Sequence, residues 1–183
     1  ARLHEAMAIQ TIECAKRSGL PVRVALSGVP DSPFARRLRK MNVTVEMQPE
    51  GDLGARLARA MRGPLRTIAM GTDCVVFKPE WIREAAKSEC VSIGPADDGG
   101  YWLIAATPQP VDVRPALFNN MHWSTSTVCE ETVTRIRTLG RPIHWLPASY
   151  DVDTPDDLFR LQNDPTCPPA ILAALAATEP TVR

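Results

Sequence analysis

The chain has 183 residues, of which 44% are hydrophobic and 23% charged, as expected for one globular domain with its own core. Its 21 basic and 21 acidic residues balance and only 5% of residues are aromatic, which argues against a nucleic-acid-binding surface. The five cysteines form no Cys-x-x-Cys pair, no apolar run approaches the roughly 18 residues of a membrane span, and no secretory signal is present, so the expected location is the cytoplasm.

The first part of the chain alternates between helical and extended periodicity. The predicted elements are a helix at 1–18, a strand at 22–26, a basic helix at 34–40, a strand at 43–47 and a helix at 52–62. Gly19 is expected to end the first helix, and Asp52 is placed to cap the first turn of the last one.

The second part continues this alternation. The predicted elements are a strand at 67–70, a helix beginning at Pro79, strands at 90–94 and 101–106, a helix at 126–139, a strand at 143–146 and a helix beginning at Pro155. Thr154 and Asp157 favour the start of that last helix, because a threonine cap and acidic residues stabilise a first turn. The proline-rich stretch 108–115 is expected to be a connection, and the tail after about Pro165 to fray or pack loosely.

Strands that alternate with helices predict an α/β domain with a mostly parallel sheet and helices on both faces. We place this domain at residues 1–163 and a C-terminal tail at 164–183. Ligands of open α/β sheets collect at the carboxyl ends of the strands. The acidic residues that follow predicted strands are Asp73, the pair Asp97 and Asp98, and the pair Asp151 and Asp153. The sequence therefore predicts a ligand site at that edge.

Two of these acidic segments favour a metal site. Glycine in Gly71-Thr72-Asp73 lets the backbone approach a ligand, and an aspartate at a strand end suits Mg²⁺ or Mn²⁺, which take further ligands from phosphate and water. The alternative is that Asp73 caps the loop before Pro79. Asp151 and Asp153 are two residues apart, so an extended backbone turns both carboxylates the same way. For Asp153 the alternative is that it merely precedes the well-capped helix that begins at Pro155.

Two loops supply further candidates. The turn Asp98-Gly99-Gly100 suits close approach by a sugar or a phosphate, although paired glycines suit a tight β-turn equally well. His122 lies in a loop and is a candidate base, because imidazoles exchange protons near neutral pH. Ser124 or Thr125 beside it fits a helix cap. Cys74 is expected to be buried and structural.

Five segments together resemble a known family in their order and spacing. They are Gly51-Asp52-Leu53-Gly54-x-Arg56-Leu57, Gly71-Thr72-Asp73-Cys74, Pro95-Ala96-x-Asp98-Gly99-Gly100-Tyr101, Trp123-Ser124-Thr125 and Asp151-Val152-Asp153-Thr154-Pro155-x-Asp157-Leu158. The family is the bacterial group named after a domain of unknown function, DUF2064, also labelled radical-SAM/selenodomain-associated transferase. It belongs with the nucleotide-diphospho-sugar transferases of GT-A fold, and the resemblance covers about residues 1–163.

The resemblance implies a Rossmann-type sheet with an inserted antiparallel portion. It also implies that Asp73 and Asp153 jointly hold Mg²⁺ or Mn²⁺ against a nucleotide diphosphate, where the metal neutralises charge on the leaving group. We assign Asp98, in the turn that would face the transferred sugar, and His122 to catalysis. The residues assigned to substrate binding are Asp52, Gly71, Thr72, Gly99, Gly100, Tyr101 and Trp123.

One family feature is absent from the sequence. Members usually begin with a strand and a basic loop, roughly Lys-x-Pro-x-x-Gly-x-x-Lys-Thr-Arg-Leu, that would cradle the nucleotide. Here Ala1-Arg2-Leu3 is already predicted to be helical. The first strand is therefore expected to be missing from the N-terminus, because the sequence is a fragment, because its true start lies upstream, or because this member has lost part of its nucleotide site. An open sheet edge of that kind favours pairing with another chain as a homo-oligomer.

Three functions remain open at this point. The first is a metal-dependent glycosyltransferase that moves a sugar from a nucleotide-sugar donor to an unknown acceptor. The second is a nucleotidyltransferase that couples a nucleoside triphosphate to a phosphorylated metabolite, and the third is a non-catalytic nucleotide-binding relative. Without the basic loop the sequence does not decide between the first two. Neither nucleic acid nor a membrane is an expected partner.

Overall fold

The computed structural model describes residues 2–108 and 112–177. Ala1, part of the predicted proline-rich connection, and residues 178–183 of the predicted tail lie outside the described residues. The helices are α1 (Arg2–Arg17), α2 (Pro33–Arg39), α3 (Leu53–Ala60), α4 (Pro79–Lys87), α5 (Arg114–Phe118), α6 (Val128–Thr138), α7 (Pro155–Asn163) and α8 (Pro169–Ala176). The strands are β1 (Arg23–Leu26), β2 (Thr44–Met47), β3 (Thr67–Met70), β4 (Val91–Pro95), β5 (Tyr101–Ala106) and β6 (Ile143–Trp145).

Local signals set the helix boundaries much as predicted. Gly19 follows α1 with a φ of 83°, the left-handed conformation that commonly ends a helix. Asp52 caps α3 by accepting a hydrogen bond from the Ala55 amide at 2.8 Å. Thr154 and Asp157 form a capping box at the start of α7. Within the described ranges, no helix combines the length and apolar character that crossing a membrane requires.

The strands form two sheets, and no hydrogen-bonded pair joins the two among the described strands. In the smaller sheet β1 and β2 are parallel. In the larger sheet the order is β3-β5-β4-β6, with β4 parallel to β6 and β5 antiparallel to both of its neighbours. β5 reverses because only the short turn 96–100 connects it to β4, whereas a parallel crossover needs about a dozen residues. The predicted α/β fold is thus confirmed: three of the four strands of the larger sheet run in the same direction, and β5 is the antiparallel strand between β3 and β4.

Helices cover both faces of the larger sheet, as predicted. Successive residues of β5 point to opposite faces. Ile104 packs with Phe118 of α5 and Ile136 of α6 on one face, while Leu103 packs with Ile82 of α4 on the other. All five are almost fully buried, and burial of each such side chain stabilises the fold by roughly 1.5–3 kcal/mol.

The helix α5 begins at Arg114, in the proline-rich stretch 108–115, to which the sequence analysis assigned no helix. Pro115 occupies the first turn of α5, where a missing amide costs nothing. The buried side chain of Arg114 donates to the carbonyl oxygens of Met61 and Gly63 and so fixes α5 beside the end of α3. The helix therefore depends on a long-range contact that a proline-rich segment does not reveal.

The prediction that the tail packs loosely was wrong for its described part. α8 packs on α1, with Ile171 and Leu175 buried in one cluster with Met7 and Leu161. Four of the other positions of α8 are alanine, so the sequence of this helix has little amphipathic pattern. Residues up to Leu175 contribute to the core.

The turn between β4 and β5 is built around Gly99. Its φ is +88°, and a Cβ at this position would lie 1.9 Å from the Ser126 carbonyl oxygen. The Cys129 amide donates to the Gly99 carbonyl at 2.8 Å. The turn is therefore packed against the backbone that leads into α6, and only glycine fits.

Gly99→Ala is expected to lower the free energy of unfolding by about 3 kcal/mol or more, because left-handed strain of about 1–2 kcal/mol adds to the backbone clash. Gly140→Ala is the matched control, since its φ is +65° but a Cβ there meets nothing within 4 Å. Urea unfolding of both variants measures the difference. Equal losses would show that the turn is not packed against Ser126.

Candidate functional site

The parallel strands of the larger sheet bring aspartates to one edge. β3, β4 and β6 run in the same direction, so their carboxyl ends lie together. The aspartates that follow these strands are Asp73 after β3, Asp97 and Asp98 after β4, and Asp151 and Asp153 after β6. The acidic residues therefore lie together at the carboxyl ends of the strands, where the sequence analysis placed them.

Backbone hydrogen bonds fix the three acidic loops to one another. The Val152 amide donates to the Asp73 carbonyl at 3.2 Å, and the Asp97 amide donates to the Ser149 carbonyl at 3.1 Å. At the start of α7 the Asp157 carboxylate accepts from the Asp153 amide at 3.2 Å. Each acidic side chain thus projects from a backbone that a neighbouring segment holds in place.

The carboxylates lie close enough to repel one another. Burial, followed by the charges of Asp73, Asp98, Asp153 and Asp157, raises the pKa of Asp151 from 3.8 to about 7. Burial and the charges of Asp73, Asp98 and Asp157 also raise the pKa of Asp153. A concentration of negative charge of this kind favours a bound cation.

Gly71 leaves the space that the Asp73 carboxylate occupies. A Cβ at position 71 would lie 2.5 Å from Asp73 Oδ1. The φ of Gly71 is outside the left-handed region, so the carboxylate rather than the turn requires glycine here. Thr72, between the two, is half-buried. From the sequence, Gly71 was expected to leave space for a ligand close to the backbone. In the structure, the Asp73 side chain occupies that space.

A cleft of about 320 Å³ lies beside the pair Asp73 and Asp153, and both residues line it. Its other lining residues come from the beginning of α1, from the loop after β6 and from α7: Leu3, His4, Met7, Val152, Thr154 and Leu158. A volume near 300 Å³ is at the lower end of small-molecule sites, which suits one sugar or phosphate-sized portion of a ligand.

The donor chemistry of Asp73 and Asp153 fits a hard divalent cation. Mg²⁺ and Mn²⁺ prefer oxygen ligands, and in nucleotide sites one or two carboxylates are usual, with phosphate oxygens and water as the others. Among residues 2–108 and 112–177, no three His, Cys, Asp or Glu side chains are grouped so that they hold a metal. The described chain therefore offers a cation at most a carboxylate pair here.

The turn that contains Asp98 is tied to α7 through its neighbour. Asp98 is exposed, and its Oδ1 accepts a hydrogen bond from the Gly100 amide at 2.8 Å. Asp97 accepts from Arg160 at 2.8 Å, and the Arg160 guanidinium lies 3.7 Å above the Tyr150 ring. Sequence reasoning missed Arg160 because no local pattern marks a contact across 63 positions.

Of the predicted site residues, only Asp73 and Asp153 line the cleft within the described chain. The others in the acidic loops are not among its lining residues: Gly71, Thr72, Asp98, Gly99 and Gly100. The remaining four have other surroundings. Asp52 is the cap of α3. Trp123 stacks on an aromatic ring of α5, with centroids 6.5 Å apart. Tyr101 packs against the core of the sheet, and burial raises the pKa of its hydroxyl. The His122 side chain is 85% exposed and lies 3.5 Å from Glu131. Each of these four residues therefore has a structural role, or a partner other than the aspartates at the carboxyl edge of the sheet.

Cys74 is structural, as the sequence analysis expected. Its thiol is buried and donates to the Ser149 hydroxyl at 3.1 Å, and that hydroxyl donates to the Val76 carbonyl at 2.7 Å. Burial raises the pKa of the Cys74 thiol to about 12, so it remains protonated and unreactive at neutral pH.

His4 is a residue of the cleft that the sequence analysis missed. It lies near the beginning of α1, beside Leu3 and Met7, which read as part of an apolar stripe. The sequence carries no signal that this stripe borders the acidic edge, because only the packing of α1 beside Asp73 creates the border.

The fold and the segments around the aspartates have known counterparts. The family model described as "Uncharacterized protein conserved in bacteria (DUF2064)" matches residues 10–125. A solved structure from Desulfovibrio desulfuricans G20, described as a "putative nucleotide-diphospho-sugar transferase", superposes with a TM-score of 0.77 at 25% identity and covers 96% of this chain and 82% of that one. No curated protein sequence matches the chain.

The raised pKa of Asp151 predicts how stability depends on pH when no divalent cation is present. Between its ordinary 3.8 and about 7 the folded chain holds a proton that the unfolded chain releases. The free energy of unfolding is therefore expected to fall as pH rises through this interval, by about 1–2 kcal/mol after solvent screening. In EDTA, Asp151→Asn should lack this decline. Parallel curves for wild type and variant would contradict the coupling.

Proposed function

The chain belongs to the bacterial family of uncharacterized proteins DUF2064, and we propose that it is a metal-dependent transferase that moves a sugar from a nucleotide-diphospho-sugar to an acceptor. One observation carries the proposal: Asp73 and Asp153, which follow two parallel strands, line the same cleft. The likeness to a protein described as a putative nucleotide-diphospho-sugar transferase supports the class of donor, as an analogy of fold.

Charge requires a cation between this site and such a donor. A nucleotide diphosphate is anionic, and carboxylates alone would repel it. Mg²⁺ or Mn²⁺ held by Asp73 and Asp153 would attract the diphosphate and, when bound, neutralise the charge that develops on it as leaving group. The two residues act by fixing the position of that positive charge relative to the cleft.

Asp98 supplies a carboxylate on the acceptor side of the proposed reaction. The Gly100 amide holds its Oδ1, so the carboxylate has a fixed orientation in an exposed turn. Its other oxygen would accept the proton of the acceptor hydroxyl as the new bond forms. Gly100 places no side chain beside this carboxylate, since a Cβ there would lie 3.1 Å from Asp98 Oδ1. The space beside Gly99, by contrast, is filled by the Ser126 backbone. His122, exposed and beside Glu131, stays a prediction from the sequence.

The reaction is tested with a panel of nucleotide-diphospho-sugars in the presence of Mg²⁺ or Mn²⁺. We expect release of a nucleoside diphosphate, and we expect EDTA to abolish it. Release of pyrophosphate from a nucleoside triphosphate and a phosphorylated metabolite would instead identify a nucleotidyltransferase and contradict the proposal.

Asp73→Asn and Asp153→Asn are each expected to lower the rate of this release by roughly 100-fold or more, because a neutral amide holds a divalent cation weakly. Asp156→Asn is the matched control, since Asp156 is exposed in the first turn of α7 and does not line the cleft. It should retain the wild-type rate. Full activity of both cleft variants would remove this pair from the site.

Gly71→Ala tests the geometry of Asp73 without changing a charge. The new Cβ would meet Asp73 Oδ1 at 2.5 Å, so the carboxylate must move. We expect Mn²⁺ affinity, measured by calorimetry, to fall by about tenfold, which corresponds to about 1.4 kcal/mol of binding free energy. The midpoint of thermal unfolding should change little, because only the end of one side chain is displaced. Wild-type affinity in this variant would show that Asp73 does not bind the ion in this orientation.

A further inference from the structure

We propose that His4 is a substrate-binding residue that donates a hydrogen bond to the phosphate groups of the donor. The inference rests on the proposed function and adds a residue to the same cleft. It concerns the part of the cleft lining that the beginning of α1 supplies, beside the carboxylates of Asp73 and Asp153 that also line it.

The position of His4 is fixed by the packing of α1. The Thr11 hydroxyl donates to the Cys74 carbonyl at 3.5 Å, which anchors the helix on the segment that directly follows Asp73. Met7, one turn along from His4, is buried against α7 and α8. α1 is thus held from two sides, and His4 and Met7 fall on one helical face, toward the cleft.

The composition of the cleft singles out His4. Four of its lining side chains are apolar, two are aspartates and one is a threonine, so the imidazole of His4 brings the only side-chain nitrogen. An anionic ligand drawn to a cation at Asp73 and Asp153 meets no other basic side chain among the lining residues. Hydrogen bonds from an imidazole to phosphate oxygens are charge-assisted and are stronger than neutral ones.

His4 is assigned to the ligand rather than to the metal. No three potential metal-ligating side chains are grouped to hold an ion within residues 2–108 and 112–177, so His4 does not complete a site with the two carboxylates. Its role is therefore separable from theirs: loss of His4 should weaken phosphate binding and leave Mn²⁺ binding intact.

Calorimetry with Mn²⁺ alone, and with inorganic pyrophosphate added to the Mn²⁺-loaded chain, tests this separation. His4→Leu removes both ring nitrogens and should weaken pyrophosphate binding by about tenfold, the loss of one hydrogen bond to a charged group. His4→Gln retains an N–H donor and should restore most of the affinity. Mn²⁺ affinity should be the same in all three proteins. His4 is exposed, so both variants should show the thermal unfolding midpoint of wild type.

Arg17→Gln is the matched control for a general effect of charge. Arg17 is exposed in the last turn of the same helix, and it does not line the cleft. We expect this variant to bind pyrophosphate as wild type does. An equal loss in Arg17→Gln and His4→Leu would overturn the inference, because the effect would then be one of net charge.

Two further outcomes separate this inference from the function on which it rests. If Asp73→Asn abolishes binding of Mn²⁺ and pyrophosphate while His4→Leu binds both as wild type does, His4 is not a phosphate ligand and the proposed function stands. If wild-type binding of Mn²⁺ and pyrophosphate does not depend on Asp73, the proposed site itself is overturned, and the role of His4 with it.

Discussion

Repulsion among the aspartates at the carboxyl edge of the sheet is the constraint on which the rest of the site depends. Carboxylates that share a small, partly buried space cost folding free energy, as the raised pKa values of Asp151 and Asp153 show. The chain tolerates that cost because packing on both faces of the sheet outweighs it and because backbone hydrogen bonds prevent the loops from separating. The bond from the Val152 amide to the Asp73 carbonyl is the most direct of these restraints.

Hydrogen bonding gives neighbouring aspartates opposite protonation behaviour. Asp157 accepts hydrogen bonds from the hydroxyl and amide of Thr154 and from the Asp153 amide, and these bonds lower its pKa. Asp151 is more buried and faces several like charges, so its pKa rises instead. The capping box of α7 thus does more than start a helix. It keeps Asp157 charged and holds the backbone of Asp153, a candidate metal ligand, in position.

Sequence reasoning predicted the features that depend on residues close together in the chain. Alternation of strands and helices gave the fold class, and aspartates at strand ends could be expected to meet because parallel strands share a carboxyl edge. Contacts between segments that are distant in the chain leave no pattern in the sequence. α8 and α5 are stabilised by side chains far away in the chain, and Arg160 reaches Asp97 across 63 positions. His4 belongs to the cleft only because Thr11 and Met7 fix α1 beside Asp73.

The same constraint joins stability to ligand binding. A cation that binds Asp73 and Asp153 relieves their repulsion with Asp151, so part of its binding free energy appears as added stability of the folded chain. Asp151 and Asp153 lie in the loop that joins β6 to α7, and Arg160 of α7 donates to Asp97 in the turn between β4 and β5. A movement of these carboxylates toward a bound ion would therefore also shift the turn that contains Asp98. The divalent cation that the proposed reaction requires would therefore also neutralise the charge of the aspartates and stabilise the folded chain.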